Sequence, residues 1–222
     1  MQKLPRPYAI IFSTETVDGK IADSKGYSKL SCEEDFKEQH ELRSKVDAVM
    51  VGANTIIKDN PSLTVRLVKG VSPIRIVVDS RLKVSEDAEV FNQPRRSILI
   101  TSVNNPYEKL EKFIRKGINI VKVNESVGLD LNEAMNKLYE FGIRRLMIEG
   151  GGHLNFSLLS NGLVDEIWAT VSPFIFGRGV SIFENDLLDD IKAELSLKEV
   201  KRLCYNWVSI RYIVLKPKKP LI

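Results

Sequence analysis

Short apolar runs alternate with longer half-polar stretches through the first two-thirds of the chain. Tyr8–Phe12, Ala48–Val51, Ile74–Asp79, Ser97–Thr101, Ile118–Val123 and Arg145–Glu149 are short and rich in branched apolar residues. They read as strands buried inside a sheet. Between them, Glu33–Lys45, Pro106–Lys116 and Leu131–Phe141 read as helices. Gly117 and Gly142 stand where helix C-caps belong. After Glu149 comes a glycine run, then a short helix around Leu154–Ser160, closed by Gly162. This alternation predicts a largely parallel sheet with helices on both faces. The C-terminal third differs. Asp165–Val171, Leu195–Arg202 and Trp207–Leu215 read as strands, and Cys204-Tyr205-Asn206 reads as a tight turn. An antiparallel hairpin therefore finishes the sheet. The expected fold class is α/β, with one mixed sheet in a single domain over residues 1–222.

Composition adds exclusions. Hydrophobic residues are 43% and charged residues 28%, which rules out a disordered or collagen-like chain. Lys and Arg number 33 against 29 Asp and Glu, a net charge of +4. The longest basic cluster is Lys216, Lys218 and Lys219 in the tail, so no basic face points to nucleic acid. Cys32 and Cys204 are too few for a disulfide framework or a Cys-rich zinc site, and His40 and His153 too few for a His-based one. No metal is expected. No apolar run approaches a membrane span, and the opening Met-Gln-Lys-Leu-Pro-Arg-Pro lacks the apolar stretch of a signal peptide. The expectation is a soluble cytoplasmic protein.

Four constellations carry candidate chemistry. Glu149-Gly150-Gly151-Gly152-His153 joins a strand to a helix, so backbone can approach a ligand closely and helix N–H groups can meet a phosphate. The spacing Gly150-x-Gly152-x-x-Asn155 misses the dinucleotide fingerprint at its last position. Glu149 ends a parallel strand, where α/β ligand sites collect. It can hold a polarised ring N–H or amine, or bond a neighbouring loop. In Gly52–Pro61, Thr55 and Asp59 are four apart and share a helical face. Asn54 or Thr55 is a candidate cap there, and Asp59 a candidate acid or orienting carboxylate. Phe36 and Arg43 are seven apart and project within about 20° of each other, which sets Arg43 beside the buried stripe of its helix. With Arg66 it forms a candidate phosphate clamp. Ser80, Arg81 and Lys83 follow a strand and either meet a ribose 2′-phosphate or form a plain polar turn. A P-loop, a G-x-S-x-G elbow and a zinc-deaminase signature are all missing.

These pieces occur in a familiar order. Ser13-Thr-Glu-Thr-Val-Asp18-Gly19-Lys20-Ile-Ala opens it, followed by Val51-Gly-Ala-Asn-Thr55-Ile-Ile-Lys-Asp59-Asn-Pro61-Ser-Leu63-Thr-Val-Arg66 and Arg75-Ile-Val-Val-Asp79-Ser80. Then come Glu149-Gly-Gly-Gly-His153-Leu, Gly162-Leu-Val-Asp165-Glu166 and Ser172-Pro-Phe-Ile-Phe-Gly177. The ordered set, across almost the whole chain, resembles the riboflavin-pathway reductases, both stand-alone and as the reductase half of the bifunctional deaminase-reductases. The resemblance implies a dihydrofolate-reductase-like fold, an NADPH cofactor, a phosphoribosylamino-pyrimidine substrate and a homodimer. It implies that Thr55 and Asp59 line the nicotinamide end of the cofactor site. Ser80, Arg81, Leu82 and Lys83 then sit near the adenosine end, and Gly150, Gly151, Gly152 and His153 cradle the phosphates. Arg43, Leu63, Arg66 and Glu149 match the family's substrate contacts, with Asp59 as the catalytic candidate. The chain departs from the pattern at Asn60, where many relatives carry a second Asp, and at His153, where Thr is common. Lys25–Leu30 matches only loosely. Two rival readings are a pterin reductase of the same fold, and a non-catalytic nucleotide-binding protein that keeps the fold.

Overall fold

A computed structural model of the chain describes residues 5–185 and 193–215. The basic tail cluster Lys216, Lys218 and Lys219 lies outside the described residues. Seven parallel strands form the centre: β1 (Tyr8–Glu15), β3 (Ala48–Gly52), β4 (Ile74–Val78), β5 (Ser97–Ser102), β6 (Asn119–Val123), β7 (Arg145–Ile148) and β8 (Glu166–Val171). The hairpin β10 (Leu195–Leu203) and β11 (Trp207–Val214) joins antiparallel beside β8. The nine-stranded order is β10-β11-β8-β1-β7-β3-β4-β5-β6. The chain thus starts near the middle, builds outward through β6, then returns to insert β7 between β1 and β3. That reversal opens a crevice at the C-terminal ends of the central strands, where open α/β sheets bind ligands.

Side-chain alternation splits the core into two layers. Ala9, Ile11, Leu146 and Ile148 pack with Met135 and Leu138 of α4 (Leu131–Glu140) and Leu154 and Leu158 of α5 (Gly152–Ser160). Ile10, Phe12 and Met147 pack on the other face with Leu42 of α1 (Glu33–Arg43), Ile56 of α2 (Ala53–Asp59) and Phe113 of α3 (Tyr107–Lys116). Gly117 caps α3 with φ +85, as its position in the sequence predicts.

Several expectations change. Helix α1 has no apolar stripe: Phe36 is 44% exposed, while Asp35, Glu38, His40 and Arg43 are buried. Apart from Leu42, which joins the aliphatic core, the helix turns a polar face inward onto charged groups of the sheet end and the hairpin. Neither Asn54 nor Thr55 caps α2; the cap position is Gly52, with no side-chain bond. Helix α5 begins at Gly152, one half-turn before the apolar residues start. A two-stranded antiparallel sheet of β2 (Lys20–Asp23) and β9 (Gly179–Ser181) was not expected at all. Both strands are too short and too polar to give a periodic signal.

The two cysteines, too few for a disulfide framework, form a single Cys32–Cys204 disulfide across 172 residues of chain. It joins the N-cap of α1 to the turn of the β10–β11 hairpin. Polar bonds reinforce that junction. Glu38 of α1 takes Lys201 Nζ at 2.5 Å and Arg211 Nη2 at 3.4 Å, and Trp207 Nε1 donates to the Leu30 carbonyl.

Candidate active site

Glu149 follows β7 directly and, by alternation from Met147, projects into the α1 layer. There its carboxylate meets Arg43 in a two-pronged pair, Nε to Oε1 at 2.6 Å and Nη2 to Oε2 at 2.6 Å. Arg43 Nη1 donates to the Thr64 carbonyl, and Gln39 Nε2 donates to Glu149 Oε2 at 3.1 Å. Gln39 and Arg43 sit one helical turn apart, so a single face of α1 supplies both donors. Both members of the ion pair are almost wholly enclosed. Burial works against the Arg43 charge, but the adjacent Glu149 carboxylate prevails and holds the guanidinium pKa above its usual value.

Arg43 and Arg66 do not form a matched clamp. Arg43 is committed to Glu149, whereas the Arg66 side chain is exposed. The Arg66 backbone N–H donates to His40 Nδ1 at 2.9 Å. Burial first, then Arg43 and Arg66, lowers the His40 pKa, so the ring stays a neutral acceptor. Arg66, Leu63 and Ser62 line a surface cavity of about 280 Å³ with Arg43 at its wall. Leu63 itself is buried, in the left-handed region at φ +53.

One residue further on, the chain changes sides. Gly150 has φ +87, and its carbonyl accepts the Gly52 N–H at 2.8 Å, locking the turn to the end of β3. The loop then enters the α5 layer. A Cβ on Gly151 would lie 3.6 Å from Thr55 Oγ1, so the expected Thr55 and glycine-loop positions do meet. A Cβ on Gly152 would collide with the Ser181 carbonyl and approach the Glu184 Cβ to 2.9 Å. Only glycine lets β9 and its following turn close over the helix start. Among the described residues no side chain caps α5. Asn155, buried within α5, donates to the Ile182 carbonyl, but its Oδ1 has no partner among the described residues. His153 is exposed on the first turn.

The remaining expected positions divide. Asp59 ends α2 and is exposed. Ser80, Arg81, Leu82 and Lys83 form the turn after β4, built by the buried Asp79 carboxylate, which accepts from Arg81 N and Val84 N. Arg81 and Lys83 point to solvent, and Leu82 sits at φ +53. Two further groups escaped sequence reading. Asp18 accepts from the Thr16 hydroxyl and from the N–H groups of Phe176 and Gly177, which together hold its pKa down at about 2. It thereby ties the Asp18-Gly19-Lys20 turn to the Ser172–Gly177 segment. Glu15, the last residue of β1, has a buried Oε2 with no partner among the described residues, and burial pushes its pKa up to about 7.

Residues 7–209 match the model of the RibD C-terminal domain family. The chain belongs to that family. Among its relatives is the 2,5-diamino-6-ribosylamino-4(3H)-pyrimidinone 5′-phosphate reductase of Methanothermobacter thermautotrophicus, 41% identical over 202 residues, covering 89% of this chain and 92% of that protein. The protein of the same name from Aquifex aeolicus is 41% identical over 180 residues, covering 78% of this chain and 80% of the relative. Solved structures agree on the fold. A pyrimidine reductase-like protein from Corynebacterium diphtheriae superposes with a TM-score of 0.82 at 23% identity, over 95% of this chain and 92% of that one. The deaminase/reductase of Thermotoga maritima gives 0.76 at 28% identity, with this chain spanning 57% of its length. The RibD reductase-type architecture expected from the sequence is thus present, and no helix among the described residues is long and apolar enough to cross a membrane.

Proposed function

We propose that this chain reduces the ribosylamino side chain of 2,5-diamino-6-(5-phosphoribosylamino)pyrimidin-4(3H)-one to the ribitylamino product, using NADPH, as one reductase domain in riboflavin biosynthesis. The observation that carries this reading is the turn at Glu149–Gly150. Adjacent residues serve opposite layers: Glu149 faces α1, and the glycine loop faces α5. Such a turn suits a reaction between two molecules that meet at the strand ends.

The glycine loop fits a dinucleotide. Gly150 and Gly151 bring bare backbone beside Thr55, next to a helix start with no side-chain cap among the described residues. Gly150, Gly151, Gly152 and His153 would hold the phosphates, with Thr55 beside them. Ser80, Arg81, Leu82 and Lys83 would meet the adenosine end, the exposed Arg81 and Lys83 favouring the 2′-phosphate of NADPH. The cofactor supplies the hydride. The protein's part is to hold the opened sugar's C1′ against it and exclude water.

On the α1 side, the Arg43–Glu149–Gln39 network presents a preorganised polar wall for the diaminopyrimidine. Arg66, exposed at the rim of the cavity with Leu63, would take the 5′-phosphate. Asp59 would orient the sugar at the mouth. We place the protein in the cytoplasm, acting on a small molecule and not on nucleic acid. We also propose a homodimer. On the β8–β11–β10 face away from α1, Leu197 and Val200 are more than half exposed beside Val208 and Ile210, an apolar sheet surface suited to a second copy.

A substrate panel tests the reading. NADPH consumption is expected with the phosphorylated precursor and not with dihydrofolate, and removal of the 5′-phosphate should cost at least about tenfold in kcat/KM. Asp59→Asn should lose most turnover while still binding NADPH. Equal turnover with and without the phosphate would remove Arg66 from the account, and unchanged kcat in the variant would remove Asp59.

A further inference from the structure

The β1 strand ends on a carboxylate that the proposed chemistry does not yet use. Pairing of β1 with β8 is unbroken from Ile10↔Glu166 to Glu15↔Val171, so alternation along β1 holds to its last residue. Ile11 lies in the α4–α5 core layer, and Glu15, four residues on, shares that face. Strand β7, the neighbour on the other side, is last paired at Ile11↔Ile148. Beyond that point the chain of β7 becomes the glycine turn that enters α5. Glu15 is therefore on the layer that the glycine loop enters, past the last paired residue of β7 and beside Val171 of β8.

The side chain is half-buried and its Oε2 is enclosed, yet neither carboxylate oxygen bonds to a described residue. The charged or titratable groups on the elements around it are engaged elsewhere. Lys20 of β2 donates to Ser181 Oγ, Glu184 after β9 accepts from Ser181 N, and Asp18 accepts from Phe176 and Gly177. His153 of α5 is exposed, and Glu149 faces the opposite layer with Arg43. A carboxylate left in this way is costly unless something completes it.

We propose that Glu15 is a positioning residue for the nicotinamide end of the cofactor, its carboxylate lying against the ring's amide and favouring the oxidised, cationic ring. This inference rests on the proposed reductase reading. In the reaction, hydride leaves the reduced ring with its electron pair and forms the new C–H bond at C1′. The C1′–nitrogen double bond opens onto nitrogen, which takes a proton from solvent. The positive charge then left on the ring faces Glu15, which is neither oxidised nor reduced. A fixed negative charge placed where positive charge develops stabilises the transition state. Burial, which raises the carboxyl pKa to about 7, gives this effect a pH signature. The oxidised ring binds the ionised carboxylate better, so its affinity rises as pH rises through that value.

The test is equilibrium binding of NADP⁺ and NADPH to the wild type and to Glu15→Gln at pH 6 and pH 8, read by fluorescence. The ratio of the two dissociation constants cancels titration of the 2′-phosphate, which both forms carry. In the wild type, NADP⁺ should gain on NADPH by about fivefold or more between pH 6 and pH 8. In Glu15→Gln the ratio should stay flat within about twofold, with the fold of the variant checked by its circular dichroism spectrum and thermal melt. A pH-dependent ratio that persists unchanged in Glu15→Gln overturns the proposal, as does a flat ratio in the wild type. Failure of the wild type to bind either form overturns the reductase reading, and the role of Glu15 with it.

Discussion

The two sides of the Glu149–Gly150 turn are built on opposite principles. On the α1 side, the polar groups around Glu149 are closed on one another: Glu149 uses both oxygens on Arg43, Gln39 adds a third bond, and Thr64 takes a further guanidinium donor, although Asp35 Oδ1, earlier on the same helix, has no partner among the described residues. On the α5 side, groups are left open: an uncapped helix start, the Asn155 Oδ1 and the Glu15 Oε2. The closed side is a rigid wall whose shape exists before a ligand arrives. The open side has acceptors that no described residue completes. A reductase needs both, since one partner must be oriented finely and the other exchanged each cycle.

The largest effect should come from breaking the closed side. Arg43→Met leaves Glu149 buried without a counter-charge, at a cost of about 3–5 kcal/mol in stability. Urea unfolding should show it, with activity lost at temperatures where the variant remains folded. A cost below about 1 kcal/mol would mean that the wall tolerates an unpaired carboxylate and is not closed in the sense argued.

A smaller effect should come from outside the site. Helix α1 bears the wall and is pinned by Cys32–Cys204 and by Glu38 with Lys201 and Arg211. Cys204→Ser should lower stability by about 2–4 kcal/mol under oxidising conditions, through the long loop that the bond closes. The wild type in reductant should match the variant. Persistence of the full wild-type stability in reductant would show that the ionic bonds alone hold the helix.

The open side should respond more to ligand than to denaturant. Gly152→Ala sets a methyl against the Ser181 carbonyl, costing about 1–3 kcal/mol as β9 shifts. Its NADPH affinity should fall further than its stability does, and calorimetry alongside thermal melting separates the two. Unchanged cofactor affinity would place the phosphates elsewhere.

Much of this organisation was legible in the sequence, and the reasons are local. The buried parallel strands are short aliphatic runs, and glycines end the helices at Gly117 and Gly142, so pattern and punctuation agree. The glycine run after β7 declared itself, as did the C-terminal hairpin. What was illegible depends on groups distant in sequence. Glu149 and Arg43 are separated by 106 residues, and nothing in either neighbourhood says that one is the other's partner. Polar burial hid the packing face of α1, though not the helix itself: turning Asp35, Glu38 and Arg43 inward and Phe36 outward inverts the usual pattern. Cys32 and Cys204 meet only because the hairpin returns beside β8 and over α1. Glu15 stood inside a matched motif, yet its oddity lies in what fails to bond it, which only the folded neighbourhood reveals.

The central claim is that the two sides bring a reduced cofactor and an opened ribosylamine face to face. The direct measurement supplies NADPH carrying deuterium at both C4 positions, with the phosphorylated pyrimidine precursor in ordinary water, and weighs the product. The account predicts a ribitylamino product that carries deuterium at C1′ from the labelled cofactor and none when unlabelled cofactor is used in heavy water with exchangeable sites washed out. A product whose new C1′ hydrogen comes from solvent, or no product beside a bound cofactor, would contradict it.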